Sequence, residues 1–292
     1  MKYYEVDFRI VAPAELMGDV RDVISALAGE AGFETFEETE WGLKGYVQRA
    51  LFSQDVLEEQ ISYLPFEEVK VSFEVNEAED RDWNEQWEQE GFDPIVVGRE
   101  CVVHDGRHLQ GITLADYPVR VEIDAHLAFG TGTHETTRMM ISSLLETEVK
   151  DLRVLDCGCG TGILGIVALK LGASEAVGYD IDEWSADNAR HNAVINGVDD
   201  RFSSLLGDAS LLNKEVEGLF GVVLANINRN ILLADMPAFR QKMMAGGTLL
   251  LSGFYESDIP MLAARAQELG LQLQGKKIDG EWACLSFILA SA

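Results

Sequence analysis

Basic residues are scarce in this chain: 23 lysines and arginines stand against 50 aspartates and glutamates over 292 residues, a formal net charge of −27. Phosphate binding relies on clusters of Lys and Arg, and none is visible, so no direct nucleic-acid or anionic-membrane partner is expected. A basic protein is a more natural partner, although a solvated acidic surface on a soluble enzyme explains the same charge. Cysteines are few as well. The four, Cys101, Cys157, Cys159 and Cys284, make no disulfide framework, and no N-terminal apolar segment resembles a signal peptide or membrane span, so a cytoplasmic location is expected. Cys157-x-Cys159 lacks the second pair that a structural metal site needs, and no metal is expected. Apolar residues are not scarce, and at 47% they suffice for real cores in one large or two moderate domains.

The stretch around which the rest is arranged is Val154-Leu155-Asp156-Cys157-Gly158-Cys159-Gly160-Thr161-Gly162. Arg153 to Leu155 reads as a buried strand and Ile163 to Leu171 as a helix, so the glycines form the turn between them. Such a turn needs residues that tolerate positive φ, and a cofactor lies against bare backbone only where no Cβ intervenes. Gly160-x-Gly162-x-x-Gly165 satisfies a dinucleotide pattern, whereas Asp156-x-Gly158-x-Gly160-x-Gly162 is the pattern associated with S-adenosylmethionine. Asp156 favours the second. A carboxylate at the strand tip repels a pyrophosphate but suits a cofactor carrying an amino group and a sulfonium. Asp180 closes the next expected strand, Ala176 to Asp180, about 20 residues past the glycines, where a carboxylate accepts both ribose hydroxyls. Asp182 reads instead as the cap of the helix starting near Glu183.

Ahead of this region the chain alternates short elements in the order βαββαβ: Tyr3 to Val11, Ala14 to Ala31, Phe33 to Glu38, Gly42 to Gln48, Ser53 to Tyr63 with Ser53 as N-cap, and Glu68 to Val75. That is the ferredoxin-like α+β pattern, expected here as a recognition domain over residues 1–75, because it carries no His, no Cys and no Gly-rich phosphate loop. Residues 76–93 read as an acidic linker helix with Trp83 and Trp87 on one face. The remaining residues, 94–292, form the expected catalytic domain.

Within that domain, short strands are expected at Ile95 to Val97, Glu100 to His104 and Val119 to Ile123. They precede a polar loop, Ala128-Phe129-Gly130-Thr131-Gly132-Thr133-His134, which runs into a helix from Glu135 to Leu145. Its hydroxyls and N–H groups can close over a cofactor, or Thr133 can simply cap the helix. Strand and helix then repeat: strands end at Asp208, where an acid can meet an adenine amino group, and at Asn226, with helix from Arg229 to Met244 and a strand from Thr248 to Ser252. A helix from Ser257 to Leu269 and a closing pair, Leu271 to Ile278 and Trp282 to Leu289 joined through Asp279-Gly280, complete an α/β, Rossmann-like, doubly wound sheet with a reversed last strand. Asp156, Asp180, Asp208 and Asn226 all fall at the carboxyl ends of strands, where ligands bind in such sheets.

With its Asp156-x-Gly-x-Gly-x-Gly turn, Tyr179-Asp180-Ile181-Asp182 and strand-end Asn226, this half resembles a class I S-adenosylmethionine-dependent methyltransferase. The threonine loop through Thr136 and Thr137, the ferredoxin-like module and Glu281-Trp282 narrow the resemblance to the ribosomal protein L11 methyltransferase family. The resemblance implies S-adenosylmethionine as cofactor, with contacts at Thr137, Gly158, Asp180 and Asn226, and ribosomal protein L11 as partner, docked by the first module. Beside these stand Phe129, Thr133, Asp156, Gly160, Gly162 and Asp208 as further candidate cofactor residues. Asn226 is the candidate catalytic residue, its side-chain or backbone oxygen aiming an acceptor amine. The chain departs from the family at Asp124-Ala125-His126, where Asp-Pro-Gly is usual, and at Asn226-Ile227-Asn228-Arg229-Asn230-Ile231-Leu232, where Asn-Ile-Leu is usual. The expected function is methyl transfer to lysine and N-terminal amines of ribosomal protein L11. Alternatives are a methyltransferase of the same fold acting on another protein or a small amine, a nicotinamide-dependent oxidoreductase, and an inactive ribosome-associated binding protein.

Overall fold

The computed structural model describes residues 3–13, 16–49, 52–66, 69–77, 91–109, 111–124 and 135–290. The expected linker helix falls mostly on residues 78–90, and the loop with Phe129, Thr133 and His134 on residues 125–134, both outside the described residues. Two compact units emerge, Met1–Asp82 and Trp83–Ala292.

The first unit follows its expected order: β1 (Tyr3–Val11), α1 (Met17–Glu30), β2 (Phe33–Thr39), β3 (Gly42–Gln48), α2 (Gln54–Ser62) and β4 (Lys70–Glu77). The strands form one antiparallel sheet in the order β2-β3-β1-β4. Period-2 alternation sends Val6, Phe8 and Ile10 of β1 inward, where Val20 and Ile24 of α1 and Leu57 of α2 cover them. Burying each such side chain stabilises the unit by about 1.5–3 kcal/mol. Two expectations are corrected. Ser53 precedes α2 but its hydroxyl makes no capping bond, and β4 extends through Glu77, so the linker cannot begin at residue 76.

A seven-stranded sheet organises the second unit. Its strands are β8 (Arg153–Cys157), β9 (Glu175–Asp180), β10 (Phe202–Leu206), β11 (Phe220–Asn226), β12 (Met243–Tyr255), β13 (Leu271–Asp279) and β14 (Trp282–Leu289), lying in the order β10-β9-β8-β11-β12-β14-β13. The first five run parallel, and β14 is inserted antiparallel to both neighbours, as the Asp279-Gly280 turn led us to expect. Helices α3 (Glu135–Leu145), α4 (Ile163–Lys170) and α5 (Glu183–Ile195) lie in sequence before α6 (Arg229–Gln241) and α7 (Ile259–Glu268). Successive strand residues point to opposite faces: Val154 and Leu224 join the core with α3 and α4, while Leu155 and Ala225 join the core with α6 and α7. Buried on both faces, the central strands are continuously apolar. Helix α6 stops before Met243, earlier than its sequence suggests, because Met243 already pairs with Phe220 and the preceding carbonyl of Lys242 accepts from Phe220 N–H.

A small sheet of β5 (Ile95–Val97), β6 (Cys101–His104) and β7 (Val119–Glu122) is attached by side chains rather than by a strand ladder. Asn188, Asn192 and Asn196 are spaced four apart on and just after α5, so they share one face. The Asn196 side chain accepts from Glu122 N–H and donates to its carbonyl, Asn192 accepts from Asp124 N–H, and Asn188 donates to the Asp124 carbonyl. Asn192, fully buried, also donates to the Thr161 carbonyl of the glycine turn. The same asparagine face thus ties the chain leading into the loop to the chain that forms the turn.

Candidate active site

The glycine turn is built as its composition requires. Gly158, Gly160 and Gly162 have φ of 69°, 53° and 78°, a region that side chains rarely adopt. They serve different ends. A Cβ on Gly158 would lie 2.3 Å from Ile227 Cγ2, and Gly160 N–H donates to Asp180 at 2.9 Å; both line a cavity of about 960 Å³ at the carboxyl ends of the strands. Gly162 does not line it. There a Cβ would meet Ala189 and Phe202 at 3.0 and 3.2 Å, so Gly162 lets the turn pack onto α5 and β10 as it starts α4.

Asp156 requires a correction. Expected at the cofactor, it is 1% exposed and absent from the cavity wall; its Oδ2 accepts from Gly165 N–H at 3.0 Å, holding the first turn of α4. Burial pushes its carboxyl up to about 7, against the pull of the Gly165 N–H, with the nearby Asp180 charge adding to the rise. The residue is therefore a strut of the turn, one step behind the ligand surface.

Asp180 stands where expected. One carboxylate oxygen accepts from Gly160 N–H at 2.9 Å and the other from Asp182 N–H at 3.0 Å, and the group lines the cavity. A carboxylate offers about four lone-pair sites, so both oxygens keep capacity for further donors. Asp182 caps α5 by accepting from Ser185 N–H and hydroxyl. Asp208 is exposed and also lines the cavity, and the hydroxyl and N–H of Ser210 hold its carboxyl below the usual range.

Asn226 ends β11 on the cavity wall. Its Nδ2 donates to Thr137 Oγ1 at 3.3 Å, while its Oδ1 is buried and has no hydrogen-bond partner among the described residues. A buried carbonyl oxygen left unpaired costs about 1–3 kcal/mol, so the site presents an acceptor waiting for a donor. Thr137, 3% exposed on α3, fixes the amide orientation by receiving its NH2.

The sequence reading missed Asp235, which α6 brings to the same wall. Burial raises its pKa, and Asp208 raises it further. Its place eight residues beyond Ile227 in an amphipathic helix gives no sign of which face meets a ligand. Trp282 also lines the cavity, and only its place in a family motif marked it. In total the wall carries three carboxylates, Asp180, Asp208 and Asp235, and no Lys or Arg among the described residues. Such a wall repels phosphates and attracts a cation. Together with the bare backbone at Gly158 and Gly160 and the unpartnered Asn226 oxygen, it fits a nucleoside-containing sulfonium and does not fit a pyrophosphate.

The departure after Asn226 has a structural explanation. Asn228 caps α6 by accepting from Asn230 N–H, and Arg229 pairs with the 8% exposed Asp258 at 2.8 Å. Asn226 and Ile227 are held ahead of this anchor. Gly253, at φ 91°, lies so close behind them that a Cβ would meet the Ile227 carbonyl oxygen at 2.5 Å. The other departure, at residues 125 and 126, lies outside the described residues.

Comparison with known proteins agrees with this geometry. Residues 21–289 match the model of the family described as ribosomal protein L11 methyltransferase (PrmA). Proteins named ribosomal protein L11 methyltransferase are similar over nearly the full chain: that of Phocaeicola vulgatus is 42% identical over 289 residues, 99% of this chain and 100% of its own. That of Bacteroides fragilis is 43% identical with the same coverage. Among solved structures, the ribosomal protein L11 methylase of Lactobacillus delbrueckii subsp. bulgaricus superposes with a TM-score of 0.61 at 29% identity, covering 68% of this chain and all of its own.

Proposed function

This chain belongs to the ribosomal protein L11 methyltransferase family, and from that premise we propose that it transfers methyl groups from S-adenosylmethionine to lysine side-chain and N-terminal amines of ribosomal protein L11. The observation that carries the reading is the cavity wall, which holds three carboxylates and no Lys or Arg among the described residues, with an unpartnered amide oxygen on it. A nicotinamide dinucleotide would bring its pyrophosphate against three carboxylates with no Lys or Arg among the described residues of the wall to offset them.

Each residue has a part in this scheme. Gly158 and Gly160 let the cofactor lie on the backbone, Asp180 takes the ribose hydroxyls, and Asp208 the adenine amino group. The cofactor supplies a methyl group already activated on a sulfonium. What is left to the protein is to hold a neutral amine in line with that methyl, and positioning of this kind can supply about 7–11 kcal/mol. A free lysine has a pKa of about 10.4, so the amine gives a proton to water before reaction, and a desolvated site favours the neutral form. Asn226 Oδ1, on an amide whose Nδ2 donates to Thr137, accepts an N–H of that amine and turns its lone pair toward the methyl. No covalent intermediate with the enzyme is required.

Residues 1–77 act as the recognition domain and residues 94–292 as the catalytic one, joined by the acid-rich segment 78–93. The net charge of −27 suits a basic protein partner. A cytoplasmic setting goes with a ribosomal substrate, and no helix among the described residues is long and apolar enough to cross a membrane. The test is mass spectrometry of ribosomal protein L11 incubated with the enzyme and S-adenosylmethionine. The expected result is a series of mass gains, each of one methyl group, on lysine and N-terminal amines; an unmodified L11 would remove the substrate from the account.

A further inference from the structure

The same cavity carries an aromatic pair to which the cofactor contacts proposed above assign no part. Tyr255, the last residue of β12, is the register partner of Trp282, the first of β14. Their rings pack in a tilted arrangement with centroids 4.5 Å apart and planes 32° from parallel. Trp282 is half-buried and lines the cavity, whereas Tyr255 remains 48% exposed.

The fold holds this pair firmly. A register shift between Leu251 and Phe254 puts Phe254 in the core, 1% exposed, and leaves Tyr255 outside. Tyr255 N–H donates to Asp258 Oδ2 at 3.1 Å, and the other oxygen of Asp258 receives Arg229, three residues after Asn226. On the far side, Glu256 N–H donates to the Glu281 carbonyl at 2.8 Å. The aromatic pair and the Asn226 segment are therefore tied through one buried carboxylate.

We propose that the Tyr255–Trp282 pair is an acceptor subsite for the alkylated ammonium group of a partly methylated amine, and that Tyr255 sets how many methyl groups one amine receives. The inference rests on the methyl-transfer reading and extends it to the course of repeated transfer. An unmodified amine can be held by hydrogen bonds, as at Asn226 Oδ1. Each methyl group replaces an N–H donor with a C–H surface, and a fully methylated nitrogen has no donor left. What such a group retains is positive charge spread over apolar methyls, which an aromatic face attracts through its quadrupole. The neighbouring carboxylates add a field of the same preference, and the cavity wall carries no cation among the described residues to oppose it. Tyr255 covers one side of the indole and extends the aromatic surface toward solvent, prolonging the stay of an intermediate between transfers.

The test uses the full chain saturated with S-adenosylhomocysteine and two probes, N-acetyl-trimethyllysine methylamide and its neutral isostere with tert-butyl in place of trimethylammonium. Titration calorimetry of the wild type and Tyr255→Phe should show the cation binding about three- to tenfold tighter than the isostere. Tyr255→Leu should lose that preference while keeping its affinity for S-adenosylhomocysteine, and on L11 it should release amines carrying fewer methyl groups. Equal binding of the two probes to the wild type, or a Tyr255→Leu enzyme with the wild-type methyl distribution, overturns the proposal. The two readings fail separately: a cation preference without L11 methylation sinks the substrate assignment alone, whereas L11 methylation with a Tyr255-independent product pattern sinks the subsite alone.

Discussion

Replacing Asn226 with Ala should lower turnover about 100-fold while the protein stays folded and continues to bind its cofactor. The size follows from positioning, since a misplacement of about 1 Å at the reacting centre costs on the order of 10²-fold. The substitution removes one of two buried side-chain oxygens on the cavity wall, the other being the Tyr179 hydroxyl, that lack a partner among the described residues. Among the described residues it breaks one side-chain bond, to Thr137 at 3.3 Å, so the fold should lose little. Single-turnover kinetics, with circular dichroism and cofactor titration as controls, separate these effects. A turnover within threefold of the wild type would place the acceptor amine elsewhere.

An Asp180→Ala enzyme should fail earlier, at binding. This carboxylate receives two backbone N–H groups, from Gly160 and Asp182, and is assigned the ribose hydroxyls as well. Hydrogen bonds to charged groups are worth about 1.5–3 kcal/mol each, so the loss should weaken S-adenosylmethionine by about 100-fold. Part of that loss comes from releasing Gly160, whose amide orients the turn. Asp180→Asn, which keeps one acceptor oxygen, should fall between the two. Equilibrium dialysis with labelled cofactor gives the numbers, and an unaltered Kd for Asp180→Ala would contradict the assignment.

How far the chain could be read before its structure depended on the range of the signal. The glycine turn, Asp180 and Asn226 were legible because each sits at a strand end whose identity the local pattern announces. The capping role of Asp182 was legible for the same reason. Asp156 was located correctly and misjudged in direction: its spacing from the glycines says that it is near the turn, but only the packed structure shows the carboxylate turned back to Gly165 N–H. Asp235 was invisible because a helix offers several faces and the sequence does not say which one meets the cavity. The asparagine ladder on α5 shows a regular spacing, yet its partners at Glu122 and Asp124 lie 64 to 74 residues away, beyond any local rule. The sequence pattern carries the helix through Met244, but Met243 pairs with Phe220 in the sheet instead. Propensity yields where a ladder bond competes with a frayed helix end.

The departure from the usual family sequence after Asn226 illustrates the same point. Read along the chain, Asn228-Arg229-Asn230 looks like an intrusion beside the acceptor site. In the fold it is a helix cap and an anchor: Asn228 receives Asn230 N–H, and Arg229 reaches Asp258. Asn226 itself is left free to face the cavity. The segment is therefore compatible with the function its relatives' names describe, and its Arg229 has a partner at Asp258 that no reading of the segment alone could supply.

The central claim is that an anionic cavity at the carboxyl ends of the strands holds a sulfonium nucleoside, and the most direct test is calorimetric titration of the purified wild-type chain with S-adenosylmethionine and, separately, with NADH. The account predicts saturable heat with one site per chain for the sulfonium and none for the dinucleotide. Saturable NADH binding with no response to S-adenosylmethionine would contradict it.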